Sequence, residues 1–402
     1  VKGRVKAGKK PRVAVLFNRD FEGAEADPEN RAREDIQNVA VEVAQAIGDA
    51  GYDVLSIGVR EDIGALIKTL RDPAPVVVFN LCESLRGDNR FEALVPMVLE
   101  FEGLVYTGSP PTTLLSALHK DRAKQLLLGA GVPTPRAVTL DAATPEAASH
   151  LRYPLIVKPT REDASVGISR TSVVTNPAEL EAQLRHVLVH YNQPAIVEEY
   201  IVGREINAAV LERVSPGGDA AVTAEVLPLH EIDFSDMPAD RPKIVSFEAK
   251  WVEDSPDYHG TRPVPCALDE QTRARVAATA LAAWKALGLR DYGRVDLRLH
   301  EDGTPYVIDI NPNCDLSSEG GGFARAARAA GLGYSDLVLR LLSLALERRK
   351  DADTIPLSAR SRPAARADQS AGTPGGNGVG ESVSTGRSGV RHRTPRGGAG
   401  AG

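Results

Sequence analysis

Gly293-Arg-Val-Asp-Leu-Arg-Leu-His-Glu-Asp-Gly-Thr-Pro-Tyr-Val-Ile-Asp-Ile-Asn-Pro-Asn313 is the stretch that decides the fold. Asp302-Gly303 separates two strand-like runs, and a two-residue type I′ turn needs positive φ at both central positions, which Asp-Gly tolerates. The spacing predicts a hairpin closing there, with Glu301 facing Thr304 and, counting outward, Asp296 directly opposite Asp309. Asn311, two residues on, shares the face of Asp309. Facing carboxylates with Cβ atoms roughly 4.5–5.5 Å apart repel. A divalent cation between them would remove the repulsion. Three hard oxygen donors suit Mg²⁺ or Mn²⁺, ions that keep waters and bind phosphates. Taken alone, the hairpin reads more simply as a solvated face with two acids, and metal binding stays open at this point.

Working outward, 402 residues allow two or three domains, and the apolar fraction is ordinary for a chain with a real core. A net charge of -6 argues against nucleic acid as the main partner. Residues 1–10 are basic but lack the apolar stretch of a signal peptide. No run approaches the roughly 20 apolar residues of a membrane-spanning helix, so no membrane contact is expected. Cys82, Cys266 and Cys314 are too few and too scattered for a disulfide framework or a zinc site. Reduced thiols in a cytoplasmic protein are the plain expectation, and monomer and homodimer are both left open.

Strand-like and helix-like segments alternate from residue 11 to about 108: strands at 11–18, 52–59 and 75–81, helices at 31–50 and 92–102. That is the pattern of a parallel sheet covered by helices. The turn-rich Tyr106-Thr-Gly-Ser-Pro-Pro111 then leads to a helix predicted over 114–131. Strands at 155–158 and 196–200 suggest a second, smaller domain (109–197). Strands at 206–211, 221–227, 294–299 and 306–310, with helices at 273–287, 324–330 and 335–349, suggest a third (198–349). Residues 350–402 are rich in Gly, Ser, Pro, Arg and Ala and carry no aromatics, a composition expected to stay disordered.

Two further motifs bear on the hairpin. Leu155-Ile-Val-Lys-Pro-Thr-Arg-Glu-Asp-Ala-Ser-Val-Gly-Ile168 is an apolar strand ending in Lys158, then a small polar loop. A strand-end lysine can neutralise phosphate oxygens. The loop, with Ser165 and Gly167, could cover them as a lid. Alone, Lys158 reads as an edge-strand lysine. Ala195-Ile-Val-Glu-Glu-Tyr-Ile-Val-Gly-Arg-Glu205 could offer backbone groups at Glu198 and Glu199 to an adenine edge, and Glu205 to ribose hydroxyls, although acids after a strand are usually solvated.

The order of these parts, together with Lys120 and Phe247-Glu-Ala-Lys250, resembles the ATP-grasp superfamily, and within it the D-alanine–D-alanine ligase family. Tyr106-Thr-Gly-Ser109 followed by His119-Lys-Asp121 is similar to that family's entry into its central domain. The resemblance spans roughly residues 11–346. It implies a three-domain α/β fold, α+β in the ATP-binding part, with a phosphate lid at 160–168. It implies ATP and Mg²⁺ (or Mn²⁺, two ions) held by Asp296, Asp309 and Asn311. Lys120 and Lys158 would bind phosphates, Lys250 would reach the γ-phosphate, and Arg294 would stabilise the oxyanion of a tetrahedral intermediate. Ser165 and Gly167 would sit in the lid. Glu198, Glu199 and Ile201 would line the adenine pocket, with Glu205 on the ribose.

Departures from the family cluster on the amino-acid side. The glycine-rich strand exit is replaced by Phe17-Asn-Arg-Asp-Phe-Glu-Gly-Ala24, where Glu22 or Glu25 could substitute for a substrate-facing Glu. A His-Gly is replaced by Cys82-Glu83, a lid serine by Ala164, and a tyrosine by Trp251. The bridging metal ligand, commonly Glu, is Asp309. Asn313-Cys-Asp-Leu-Ser-Ser-Glu-Gly-Gly-Gly-Phe323 replaces the segment that holds the second substrate's carboxylate. Residues 229–262 form a longer insert that either shapes a different pocket or is a surface excursion. The expectation is a carboxylate–amine ligase for an amino acid or small peptide other than two D-alanines. The alternatives are the authentic D-alanine–D-alanine ligase and a nucleotide-binding protein without turnover.

Overall fold

Among the described residues there are three sheets, each built from strands whose faces were partly legible in sequence. The computed structural model describes residues 10–19, 28–72, 74–214 and 222–354. The expectations for residues 1–9, for Glu22 and Glu25, and for most of the tail fall outside them.

Arg12–Asn18 (β1), Asp53–Val59 (β2) and Val77–Asn80 (β3) form a parallel sheet in the order β2-β1-β3. Val13, Ala14, Val15 and Leu16 are fully buried, as a parallel strand covered on both faces requires. Helix Pro28–Asp49 packs on one face together with the C-terminal helix Tyr334–Thr354. Leu66, Leu70, Val95 and Leu99 of helices Ile63–Arg71 and Leu94–Phe101 cover the other.

Ala137–Leu140 (β4), Leu155–Pro159 (β5), Val173–Val174 (β6) and Ala195–Glu199 (β7) form an antiparallel sheet ordered β4-β7-β5-β6. Helix Pro177–His190 packs Leu180, Leu184 and Val187 against it. Gly203–Val214 (β8), Val222–Val226 (β9), His230–Asp233 (β10), Arg262–Pro265 (β11), Tyr292–His300 (β12) and Pro305–Asn311 (β13) make the third. Its order is β11-β10-β8-β12-β13, with β9 also on β8. Alternation gives this sheet two unlike faces. Ile206, Ala208, Val295 and Leu297 pack on helix Glu270–Leu287. Glu205, Asn207, Arg294, Asp296 and Arg298 point the other way. Asp269 caps that helix by accepting from the Thr272 N–H at 2.9 Å, and Gly288 ends it at φ 68°.

The hairpin reaches the expected pairing by a different route. The His300 N–H donates to the Thr304 carbonyl at 3.0 Å and the Gly303 N–H to the His300 carbonyl at 2.9 Å. The loop therefore has three residues, with Gly303 at φ 81°, and Glu301 does not face Thr304. Arg298 pairs with Tyr306 and Leu297 with Val307; a bulge at Ile308 then brings Asp296 opposite Asp309. The longer loop and the bulge shift the register in opposite senses and cancel.

The helix expected over 114–131 is two helices, Pro111–Leu118 and Lys120–Gly129, broken at His119, whose backbone is extended (φ -83°, ψ 91°). The break lets the Lys120 N–H donate to the Thr160 carbonyl at the base of the lid loop, at 3.0 Å. Lys250 sits on a short helix, Phe247–Trp251. Among the described residues no single helix is long and apolar enough to cross a membrane.

Candidate functional site

The floor of the site is the polar face of β8, β12 and β13. Asp296 is buried and wrapped by donors. Arg294 Nε and Nη2 donate to its two oxygens at 2.7 and 2.8 Å, Asn207 Nδ2 at 2.7 Å, and Asn311 Nδ2 at 3.1 Å. Asn207 faces Asp296 across the β8–β12 ladder. The sequence reading missed it, although its place in a strand beside the hairpin was the available signal. Asp309 is open on one side and meets Lys120 Nζ at 3.4 Å. Burial alone would raise the Asp309 carboxyl, but Lys120, Lys158 and Lys250 outweigh it and hold it below the usual range.

Opposite this floor stands a buried lysine pair. Lys158 on β5 and Glu198 on β7 share a face and meet at 3.1 Å, while Lys124 reaches the other Glu198 oxygen at 3.4 Å. Lys124 was not anticipated; it lies four residues after Lys120 on one helix, the spacing that stacks side chains. Burial, reinforced by the nearby Lys158, depresses Lys124. Burial opposes ionisation of Glu198, but Lys124 and Lys158 prevail and lower it. Lys120 goes the other way: burial would lower it, yet Asp309 and Asp163 raise it. Glu199, the next residue on β7, points to the opposite face and pairs with Arg152 at 3.1 Å and Arg136 at 3.4 Å. Its side chain is therefore away from the site, and only its backbone is available there. Ile201 lies half-buried between β7 and β8. Glu205 is buried against Arg298 at 2.9 Å, and burial raises its carboxyl despite that partner.

The lid is docked. Ser165 Oγ donates to the Val245 carbonyl at 2.9 Å, the Phe247 N–H to the Ile168 carbonyl at 2.8 Å, and Trp251 Nε1 to the Ala164 carbonyl at 3.0 Å. Asn89 Nδ2 reaches the Arg161 carbonyl at 3.3 Å from the N-terminal side. Ala164 and Ser165 both have positive φ (53° and 65°), and Gly167 (φ 76°) could not carry a Cβ, which would fall 2.4 Å from Pro159 Cγ. Lys250 stands on the helix that receives the lid, depressed by burial and by Arg294. A small cavity of about 20 Å³ remains between Lys120, Lys124, Glu198 and Ile308. A roomier hollow of about 490 Å³ lies against β2 and helix Pro28–Asp49 and contains none of these residues.

The family model "D-ala D-ala ligase C-terminus" matches residues 131–343. The chain belongs to the D-alanine–D-alanine ligase family, within the ATP-grasp fold. An uncharacterized protein of Sinorhizobium fredii (y4sG) is 32% identical over 84% of this chain and 97% of its own length. The D-alanine–D-alanine ligase of Desulforudis audaxviator is 30% identical over 76% of this chain and 92% of its own. Among solved structures, the D-alanine–D-alanine ligase of Bacillus anthracis complexed with ATP matches with a TM-score of 0.64 at 22% identity, covering 85% of this chain and 99% of that one. The VanG D-Ala:D-Ser ligase of Enterococcus faecalis matches at 0.60 and 20% identity, covering 84% and 100%.

In this D-alanine–D-alanine ligase-family chain, the wall between the N-terminal sheet and β13 is acidic. Asn313 bridges the two, donating to the Cys82 carbonyl at 3.0 Å and to Glu92 at 2.9 Å. Burial, then Asp315 and Asp163, push the Glu83 carboxyl up to about 8. Burial, then Asp163, push Glu92 well above its usual range. The triple glycine is built into this wall: a Cβ on Gly321 would meet the Ser317 carbonyl at 2.5 Å, and one on Gly322 would lie 3.6 Å from Arg294 Nη1.

The donor set suits a hard cation. Asp296 and Asp309 would supply carboxylates, and Asn311, whose amide nitrogen donates to Asp296, would offer its oxygen. Among the described residues no three His, Cys, Asp or Glu side chains converge on a metal position. Waters and phosphates would complete the shell, as they do for Mg²⁺.

Proposed function

We propose that the chain is an ATP- and magnesium-dependent carboxylate–amine ligase that joins an amino acid or small peptide to an amine and releases ADP and phosphate. The observation that carries this reading is that Lys120 meets Asp309 at 3.4 Å while Lys158 and Lys250, from two other elements, lie near enough to help hold that carboxyl low. Cations there suit the phosphates of ATP. Asp296, Asp309 and Asn311 would hold one or two magnesium ions, which screen charge during phosphoryl transfer.

The substrate carboxylate attacks the γ-phosphorus, ADP leaves, and an acyl phosphate forms. Lys120 and Lys158 neutralise phosphate oxygens, and Lys250 reaches the transferred group. The amine then attacks the acyl carbon. Arg294, two of whose nitrogens are fixed on Asp296, has Nη1 left for the oxyanion of the tetrahedral intermediate, from which phosphate departs. The lid excludes water that would hydrolyse the acyl phosphate. Glu198, the Glu199 backbone and Ile201 line the adenine, with Glu205 on the ribose. The cytoplasm supplies the ATP and magnesium.

The changed residues Cys82, Glu83, Ala164 and Trp251 favour substrates other than two D-alanines. The curated D-alanine–D-alanine ligases at 30–32% identity favour the second reading, the cell-wall enzyme itself. Phosphate release from Mg-ATP, screened over carboxylate and amine pairs with D-alanine alone as one arm, separates them. The first reading expects turnover with some other pair and little with D-alanine; robust turnover with D-alanine alone establishes the second.

A further inference from the structure

Arg298 is a buried charged residue on the polar face of β12 that the proposed chemistry leaves unused. It follows Arg294 and Asp296 at two-residue spacing and is 3% exposed. Its Nη2 meets Glu205 at 2.9 Å, and its Nη1 donates to the Gly203 carbonyl at 3.1 Å. Nη2 also donates to the Lys243 carbonyl. The guanidinium carbon lies 5.1 Å from the Tyr200 ring centroid and 5.6 Å from that of Phe234. Tyr200 Oη donates to the same Lys243 carbonyl at 2.9 Å. Two residues further on, the Val245 carbonyl holds the lid through Ser165.

Stability is a poor reason for this arrangement, because a buried ion pair is often no better than apolar residues of the same volume. The planar guanidinium instead joins two edges of the nucleotide site: Glu205 on one side, and the loop 243–246 that receives Ser165 on the other. We propose that Arg298 is a positioning residue that couples recognition of the nucleotide sugar to closure of the phosphate lid. The proposal rests on the reading of Glu205 as the ribose-facing carboxylate. Arg298 fixes that carboxylate where two hydroxyls can reach it, and through Lys243 it holds Val245 where Ser165 docks.

Calorimetric binding of Mg-ATP and Mg-2′-deoxy-ATP to the full chain tests the sugar half, and Trp251 fluorescence tests the lid half. The other tryptophan, Trp284, is buried in the helix Glu270–Leu287, and W251F assigns the signal. The wild-type chain is expected to prefer ATP by about tenfold, the worth of a hydrogen bond to a charged group. R298M should bind ATP about tenfold more weakly, lose the preference and lose most of the ATP-induced Trp251 change. R298K should show the same defects in smaller measure, since lysine lacks the planar fork, and it decides the matter if R298M does not fold. Wild-type preference and wild-type fluorescence response in a folded R298M or R298K would overturn the proposal. Lost preference with an intact Trp251 response would overturn the coupling. E205Q is the control for the underlying reading: if it keeps full preference for ATP, Glu205 is not on the ribose, whatever Arg298 does.

Discussion

At the scale of single residues, the site is a balance of buried charges, and the sign of each shift says what holds it. The lysines are set against carboxylates, so most of the lysine-bearing half is compensated within itself. Glu83 is not. Its carboxyl, ordinarily near 4.5, is pushed to about 8 by burial and by Asp315 and Asp163. A carboxyl raised on folding favours the folded chain while protonated. Its contribution is full below about pH 4.5 and is lost as pH climbs through about 8. Glutamine mimics the protonated form, so E83Q should match the wild type in thermal unfolding near the acidic end. It should become progressively more stable than the wild type up to about pH 8 and hold a constant advantage above that. An advantage of the same size at every pH would contradict the assignment.

At the scale of elements, the lid shows how changed residues can preserve a contact. Ala164 has no hydroxyl to offer, yet its carbonyl accepts from the Trp251 indole, and Ser165 is anchored one residue on. W251F removes one hydrogen bond of about 0.5–1.5 kcal/mol and should weaken ATP binding by roughly two- to tenfold with little change in unfolding temperature. Unchanged affinity would mean the indole is not a lid latch. Much of the element structure could be read from sequence: β1 and β3 of the parallel sheet carry continuous apolar runs, and β8 and β12 of the third sheet alternate. Asp296 opposite Asp309 was legible too, though only because a three-residue loop and a bulge at Ile308 cancel. What escaped the reading depends on tertiary contacts. The break at His119 follows from a bond between Lys120 and Thr160, forty residues apart in sequence. The placing of Asn207 against Asp296 and of Lys124 against Glu198 is likewise set by contacts distant in sequence.

At the scale of the whole molecule, the N-terminal sheet, the link after it and the C-terminal helix are tied through one buried acid. Asp291, fully buried at φ 63°, accepts from the Gly108 N–H at 2.8 Å and from Arg348 Nη2 at 2.8 Å, and Arg348 also donates to the Tyr106 carbonyl at 2.8 Å. R348M would strand a buried carboxylate and should cost roughly 3 kcal/mol in denaturant unfolding. A loss below about 0.5 kcal/mol, typical of a surface change, would show that the tie is dispensable. These contacts bring the acidic wall of the N-terminal part against the site floor, where the proposed chemistry needs a carboxylate, ATP and an amine together. The central claim is that ATP activates a carboxylate as an acyl phosphate. The direct measurement is to supply the active carboxylate substrate labelled with ¹⁸O in both oxygens, together with Mg-ATP and the amine. The phosphate released should carry one labelled oxygen per turnover, taken from the carboxylate. Unlabelled phosphate would contradict the account.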